Sequence, residues 1–154
     1  MSRKAPTTPA TAAATKAGIS FRTLEYELDP KAESFGVEAA EKLGLQPERV
    51  FKTLVVDADG KHLFALVPVE ARLDTRTLGK RVSLADPDDA HRITGYVRGG
   101  TSVFGSRRSL PVLLDESALE HETIVVNGGR RGLQLELSPH DLLRATGGRT
   151  LPLT

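Results

Sequence analysis

Residues 50–57, VFKTLVVD, are followed by Ala58-Asp59-Gly60 and then by residues 62–69, HLFALVPV. Both segments are rich in β-branched and apolar residues, which favour strands. The Asp-Gly pair between them is a strong hairpin signal, because both residues tolerate the positive φ angles of tight turns. The sequence therefore predicts a β-hairpin, and its first strand, apolar on both faces, is expected to lie inside a sheet.

Short strands and helices are predicted on both sides of this hairpin. Upstream, a strand is expected over 21–28 and a helix over 37–43, which Gly44 would end. Downstream, Asp86-Pro87 predicts the start of a helix over 87–93, since Asp caps helices well and Pro fits the first helical position. The other predicted elements are a short helix after Asp74, strands over 111–114, 123–126 and 133–137, and a helix from Pro139 to Ala145. This order predicts a mixed α/β (α+β) fold, with a twisted, mostly antiparallel or mixed sheet that closes towards a barrel and carries peripheral short helices.

The N-terminal residues 1–17, MSRKAPTTPATAAATKA, differ in composition from the rest of the chain. They are rich in Ala, Thr and Pro and contain no acidic residue. Such a segment has little apolar surface to bury, so the sequence predicts a flexible tail over 1–17. The remaining residues, 18–154, are expected to form a single domain, a length that allows a sizeable core.

Composition excludes several classes of site. The chain has no cysteine, which rules out disulfides and a cysteine nucleophile or metal ligand. The four histidines lack metal-ligand spacing, and no G-x-S-x-G motif marks a hydrolase serine. No stretch approaches the ~20 apolar residues of a membrane span. The 21 basic and 20 acidic residues give a net charge of +1, so a nucleic-acid ligand would be held through few phosphate contacts.

Lys52 is the first candidate for chemistry. It lies within a strand that is apolar on both faces, and lysine is rarely buried without a partner. One interpretation is an edge position from which the ammonium extends to water. The other is a positive charge at the floor of a pocket, available to a phosphate or to a polarised carbonyl.

Two glycine-rich segments are the second candidate. Residues 94–105, TGYVRGGTSVFG, could bring backbone N–H groups close to an anion, although they match neither a P-loop nor a dinucleotide-binding motif. Residues 127–132, NGGRRG, are typical of a hairpin turn with solvated arginines. The alternative is a second basic loop that converges on the same pocket.

Three phrases taken together resemble the YbaK family of tRNA-editing proteins. Residues 47–55, PERVFKTLV, are similar to the family's PE-x-VFKTL signature. Ala85-Asp86-Pro87 followed by residues 94–102 is similar to its ADP…TGY-x-x-GG-x-S segment, and residues 127–133 to its GG-[KR]-RGL hairpin. Order and spacing agree from about Phe21 to Leu143, which covers nearly all of the predicted domain.

This resemblance implies the fold of the editing domain of prolyl-tRNA synthetases and the hydrolysis of mischarged tRNA, most often Cys-tRNA(Pro). It implies a catalytic role for Lys52 and a cytoplasmic enzyme that needs no cofactor and no metal, with the substrate's own groups taking part. The expected partners are the 3′ end of an aminoacylated tRNA and, in a transient complex, prolyl-tRNA synthetase, with no membrane partner. The expected substrate-binding residues are Tyr26, Phe35, Thr53, Gly99, Gly100, Thr101, Ser102, Asn127 and Gln134.

Four residues depart from the family pattern and leave the edited amino acid open. Leu28 stands where relatives often have His, and Val103 replaces a Pro of the glycine-rich loop. Asn127 and Gln134 stand where well-known members have Ser and Asp, and a neutral Gln removes a possible partner for the substrate's α-ammonium. The alternatives are the same reaction on alanine or serine, or a non-catalytic module that binds tRNA or a synthetase.

Overall fold

A computed structural model describes residues 7–32 and 34–154. The α-helices in this part of the chain are α1 (Pro9–Lys16), α2 (Phe35–Leu43), α3 (Pro87–Thr94) and α4 (Pro139–Thr146). The strands are β1 (Phe21–Glu25), β2 (Phe51–Ala58), β3 (Lys61–Pro68), β4 (Val82–Leu84), β5 (Val112–Asp115), β6 (Ile124–Asn127), β7 (Leu133–Leu137) and β8 (Arg149–Leu151). None of the described helices has the length and apolar character that crossing a bilayer requires.

The described strands form two sheets. The smaller sheet has the order β1-β7-β6 and is antiparallel throughout. The larger sheet has the order β4-β2-β3-β5-β8 and is mixed, because β3 pairs in parallel with β5, and β5 with β8. The mixed α/β fold is confirmed, but no closed barrel is formed by the described residues. The two sheets meet instead at a bridge between Val50 and Val125.

The central hairpin forms as its sequence predicts. β2 and β3 pair antiparallel along their full length, from Phe51 opposite Pro68 to Ala58 opposite Lys61. Asp59 and Gly60 take φ angles of 51° and 86°, which suits an Asp-Gly turn. The hairpin then packs into the main hydrophobic core, which contains side chains of both sheets and therefore lies between them.

Capping residues determine where α2 and α3 begin and end. The Ser34 side chain accepts a hydrogen bond from the Val37 N–H and begins α2, which ends at Gly44 in the left-handed conformation. Asp86 accepts from the Asp88 N–H and begins α3, with Pro87 at the first helical position. The start of α3 and the end of α2 follow the predictions made from Asp86-Pro87 and Gly44, whereas α2 begins at Phe35, two residues before its predicted start.

The prediction of a flexible tail over 1–17 is wrong for Pro9–Lys16, which form α1. Residues 1–6 of that predicted tail lie outside the described residues. Thr8 and Thr11 cap the helix reciprocally, and Ala10 and Ala14 are fully buried in the main core. The Thr8 hydroxyl also donates a 2.6 Å hydrogen bond to the carbonyl of Gly128. Alanine and threonine offer little apolar surface, but contacts with residues distant in the sequence stabilise the helix. Composition alone does not reveal such contacts.

Candidate active site

A cavity of about 530 Å³ opens where β2 is flanked by the start of α2, the β4–α3 connection and the end of β6. Its described lining residues are Ser34, Phe35, Gly36, Lys52, Thr53, Leu54, Val55, Leu84, Ala85, Pro87, Ala90, Tyr96, Arg98, Gly99, Thr101 and Asn127. The volume lies in the range typical of small-ligand pockets. The cavity brings together Phe35, Lys52, Thr53, Gly99, Thr101 and Asn127 of the ten residues expected at the site. Tyr26, Gly100, Ser102 and Gln134 are not in its lining.

The edge of β2 forms one wall. β4 pairs with β2 only from Val56 to Ala58, so the first half of β2 has no strand on that side among the described residues. The carbonyl of Val55 accepts a hydrogen bond from the Ala85 N–H on this side. Alternate residues direct their backbone groups to the same edge, so those of Thr53 also face the cavity side. The buried Thr53 hydroxyl has no hydrogen-bond partner within residues 7–32 and 34–154.

Lys52 is half-buried on this wall and contributes a positive charge. Burial and, secondarily, the nearby charge of Arg72 lower the pKa of its ammonium. No carboxylate of the described residues lies within 4.0 Å of it, whereas seven ion pairs between arginine and a carboxylate are present elsewhere in the same residues. Lys52 lies in the half of β2 that has no strand on one side among the described residues, as the first interpretation expects, and it lines the cavity, as the second expects.

The glycine-rich loop forms the opposite wall and is held by close contacts. A Cβ at Gly99 would lie 2.7 Å from the Phe35 ring, and a Cβ at Gly100 would lie 2.6 Å from the Cα of Arg130. The Tyr96 hydroxyl donates a 2.6 Å hydrogen bond to the carbonyl of Phe104. Burial raises the pKa of Tyr96 to about 12, so the phenol stays a neutral donor. The loop is thus packed against α2 on one side and against the 127–132 turn on the other.

Gly100 and Ser102 support this loop from behind. Both are buried, and the Ser102 hydroxyl accepts a hydrogen bond from the Phe104 N–H at 3.1 Å. Thr101, between them, reaches the cavity. Of the two glycines expected to contact the substrate, Gly99 therefore lines the cavity. Gly100 does not, and it packs against the backbone of Arg130 instead.

Phe35 stands at the start of α2 with two guanidinium groups over its ring. The guanidinium carbon of Arg131 lies 4.1 Å from the ring centroid and that of Arg98 lies 5.3 Å from it. Both distances are within the range of cation–π contacts. Arg131 also forms a 3.0 Å ion pair with the buried carboxylate of Glu38, so its charge is compensated.

Tyr26 lies beside this ion pair rather than in the cavity lining. Burial, and to a smaller extent the charge of Glu38, raise the pKa of the Tyr26 phenol. The backbone of Gly132, close to this buried hydroxyl, partly offsets the rise in the pKa. The two arginines of the 127–132 turn are both paired, Arg130 with Glu25 and Arg131 with Glu38. Arg130 is exposed to solvent, as a hairpin turn with solvated arginines predicts, whereas Arg131 is mostly buried, and neither lines the cavity.

Asn127 ends β6 and reaches the cavity, while Gln134 lies behind it and is almost fully buried. The Gln134 amide N–H donates to the side-chain oxygen of Asn127 at 3.1 Å. With its oxygen engaged in this way, Asn127 has its amide N–H groups left to offer to the cavity. This wall of the cavity therefore presents a neutral hydrogen-bond donor. An Asp in place of Gln134, as in well-known family members, would add a negative charge there.

Several cavity residues carry no distinguishing signal in the sequence. Leu84, Ala85, Pro87 and Ala90 form an apolar side of the cavity, but they look like ordinary residues of a strand end and a helix start. Arg98 lies inside the glycine-rich segment, where an arginine is easily taken for a solvated surface residue. The pairing of β2 with β4 brings the apolar residues at the end of β4 and the start of α3 to the cavity. Because this pairing joins segments that are distant in the sequence, the neighbouring residues do not reveal it.

The charges of the cavity define the chemistry that it can support. Lys52 and Arg98 are the charged residues of the described lining, which contains no carboxylate and no histidine. Within the described residues, no group of three or more His, Asp or Glu side chains is arranged to hold a metal ion. Such a cavity can attract an anion and stabilise developing negative charge. Its hydroxyl groups have no adjacent side-chain base among the described lining residues to activate them as nucleophiles.

Comparisons with known proteins match most of the chain. The family profile described as "Aminoacyl-tRNA editing domain" matches residues 29–145. A protein of Enterococcus faecalis named as a candidate Cys-tRNA(Pro)/Cys-tRNA(Cys) deacylase, EbsC, is 35% identical in an alignment of 137 positions that covers 84% of each chain.

Solved structures show the same fold. The crystal structure of a candidate trans-editing enzyme for prolyl tRNA synthetase superimposes with a TM-score of 0.84 at 25% identity, covering 97% of this chain and 99% of the other. The crystal structure of a hypothetical protein, APE2540, gives a TM-score of 0.83 at 26% identity, covering 95% and 99% of the two chains. Each of these two superpositions covers nearly the whole of both proteins.

Proposed function

This chain belongs to the aminoacyl-tRNA editing domain family, and from that premise we propose that it is a trans-editing hydrolase that removes cysteine from Cys-tRNA(Pro). The choice of cysteine is supported by the name of the Enterococcus faecalis relative, which gives both Cys-tRNA(Pro) and Cys-tRNA(Cys). The choice of the proline tRNA is supported further by the similarity to a candidate trans-editing enzyme for prolyl tRNA synthetase. Because charged tRNA is consumed by ribosomes, the proposal places the enzyme in the cytoplasm, with the tRNA 3′ end as its substrate and prolyl-tRNA synthetase as a transient partner.

The observation that carries the proposal is the cationic lining of the cavity around Lys52, which contains no carboxylate among its described residues. Ester hydrolysis places negative charge on the carbonyl oxygen as water adds to the carbonyl carbon. A half-buried ammonium without a carboxylate partner among the described residues can stabilise that charge, and such stabilisation is often the largest single contribution to catalysis. In the proposed reaction Lys52 serves this role, and N–H groups of the loop around Gly99 assist it.

The reaction itself requires no covalent intermediate with the protein. Water adds to the ester carbonyl, and the tetrahedral intermediate then breaks its bond to the terminal ribose. The ribose oxygen takes up a proton, so the products are the free amino acid and uncharged tRNA. Since the described lining offers no carboxylate or histidine as a base, proton transfer is assigned to groups of the substrate, such as the cysteine thiol or the α-amino group. The cavity contributes position and charge.

The side chain that is edited is the finer part of the proposal. Alanine and serine esters undergo the same chemistry, and they differ from cysteine only in the group attached to the β-carbon. Asn127, with its oxygen bonded to Gln134, offers N–H donors to the cavity. A neutral donor can contact a hydroxyl, a thiolate or a carbonyl, and it does not pair with an α-ammonium. We expect cysteine to be preferred, and serine to be the strongest competitor.

The testing experiment measures deacylation of proline tRNA charged with cysteine, alanine or serine, with and without a metal chelator. The proposal predicts fastest loss of cysteine, at a rate that the chelator does not change. Unchanged levels of all three aminoacyl-tRNAs would contradict the enzymatic assignment and favour a binding module. Faster loss of alanine or serine would overturn the choice of cysteine and leave the hydrolase assignment standing.

A further inference from the structure

Arg98 occupies a position in the cavity that the proposed ester chemistry does not use. It lines the cavity, but its side chain is exposed, with the guanidinium carbon 5.3 Å from the centroid of the Phe35 ring. The backbone around it is held in place, since Tyr96 is buried and hydrogen-bonded to Phe104, and Gly99 takes a φ of 88°. A firmly held backbone therefore presents a long charged side chain at the cavity mouth.

The charge of Arg98 is uncompensated among the described residues. Ion pairs in that part of the chain engage other arginines: Arg22, Arg49, Arg76, Arg92, Arg130, Arg131 and Arg144. Arg98 has no carboxylate within 4.0 Å there, and neither has Lys52 in the same cavity. With a net charge of only +1 over the whole chain, this is a local concentration of positive charge.

Apolar side chains accompany the two cations. Leu84 and Val97 are 59% and 61% exposed, and both are among the large hydrophobic residues that the described structure leaves open to solvent. Leu84 lines the cavity, and Val97 is the chain neighbour of Arg98. Exposed apolar side chains beside a guanidinium that has no carboxylate partner among the described residues suit a ligand that combines a planar or sugar surface with a phosphate.

We propose that Arg98 binds a phosphodiester of the single-stranded 3′ end of the RNA substrate, at the mouth of the cavity, while Lys52 serves the ester inside it. The proposal rests on the proposed function for the identity of the ligand. A planar guanidinium suits phosphate because it can donate two parallel hydrogen bonds to phosphate oxygens. The stacking on Phe35 orients the group without consuming its hydrogen-bond donors.

The test measures binding rather than catalysis, so that it stands apart from the proposed activity. The probe is an uncharged acceptor-stem minihelix of proline tRNA with its single-stranded 3′ end, and its dissociation constant is measured by fluorescence anisotropy from about 50 to 200 mM salt. One phosphate contact in a single strand contributes about 0.7 to the slope of log affinity against log salt. Over this fourfold range the wild type should lose about 2.6-fold more affinity than Arg98→Gln.

Two further variants show whether a change in the salt slope is specific to the charge of Arg98. Arg92→Gln is the matched control, because Arg92 is exposed on the neighbouring α3 but paired with Asp89 and absent from the cavity lining. We expect its slope to equal that of the wild type. Arg98→Lys keeps the charge and should keep the slope, with weaker binding at low salt because a lysine lacks the two-pronged geometry.

The outcomes separate this inference from the function itself. An Arg98→Gln slope equal to that of the wild type, or absence of wild-type binding to the minihelix, would overturn the inference. If the wild type deacylates tRNA but Arg98→Gln shows the same salt slope, the function stands and the role of Arg98 falls. If binding depends on Arg98 but no aminoacyl-tRNA is hydrolysed, the phosphate contact stands and the enzymatic assignment falls. Where activity is present, the inference also predicts a raised KM for Arg98→Gln with kcat unchanged.

Discussion

Replacing Gly100 with alanine would test whether the contact between the glycine-rich loop and the 127–132 turn sets the geometry of the cavity. The new Cβ would lie 2.6 Å from the Cα of Arg130 and 2.9 Å from its backbone N and C atoms. Carbon atoms in contact are about 3.5–4.0 Å apart, so the two loops must separate by roughly 1 Å. Gly100 does not have a positive φ, so alanine causes no backbone strain there.

That displacement should lower catalysis more than it lowers stability. Gly99 and Thr101 on one side, and Asn127 on the other, line the cavity directly beside the separated segments. A misplacement of about 1 Å can cost about 100-fold in rate. Overpacking itself costs about 1–3 kcal/mol of the free energy of unfolding. We therefore expect kcat for deacylation to fall by 10- to 100-fold, an estimate that follows from the same displacement.

The matched control is Gly148→Ala. A Cβ at Gly148 would lie 2.9 Å from the carbonyl oxygen of Val112 and 3.0 Å from the Thr146 hydroxyl, so crowding is similar but remote from the cavity lining. The assay is steady-state deacylation together with thermal unfolding of both variants. Full activity of Gly100→Ala would refute the reasoning. An equal loss of activity in Gly148→Ala would do so as well, because the effect would then reflect stability alone.

Two other changes have outcomes that follow from single interactions. Thr8→Val removes the hydroxyl that donates to Gly128 and caps α1, and should lower the free energy of unfolding by about 1–2 kcal/mol in urea titration. Thr8→Ser should restore most of it, and an unchanged midpoint for Thr8→Val would show that the contact does not stabilise the fold. Because burial lowers the pKa of Lys52, activity that needs its ammonium should decline with rising pH before an ordinary lysine loses its proton. Lys52→Arg, if active, should move that decline to higher pH, and an unshifted pH profile would argue against titration of Lys52.

Local signals in the sequence were sufficient for the hairpin and for most helix boundaries. Asp59-Gly60 fixes the turn between β2 and β3, and Asp86-Pro87 and Gly44 mark a helix start and a helix end. These features depend on the preferences of neighbouring residues, which the sequence displays directly. The 133–137 strand was likewise predicted at its observed bounds.

Features that depend on distant contacts were not predictable in the same way. α1 is stabilised by burial of Ala10 and Ala14 and by the bond from Thr8 to Gly128, which is 120 residues away. The strands form two sheets, and parallel pairing of β5 with β3 and β8 makes the larger one mixed, whereas the sequence suggested one sheet closing towards a barrel. Similarly, Tyr26 and Gln134 were expected among the substrate-binding residues, but they lie behind Phe35 and Asn127, outside the cavity lining. Their predicted role in substrate binding remains a prediction.

The most direct test of the proposed function is the single-turnover rate of Cys-tRNA(Pro) hydrolysis by wild type, Lys52→Ala and Lys42→Ala. Lys42 is an exposed lysine in the last turn of α2, outside the cavity lining, and controls for the loss of one surface charge. Loss of a group that stabilises developing charge costs about 100- to 1,000-fold in rate. We predict a decrease of that size for Lys52→Ala and a wild-type rate for Lys42→Ala. Undiminished hydrolysis by a correctly folded Lys52→Ala would contradict the assignment of this cavity as the site of ester hydrolysis.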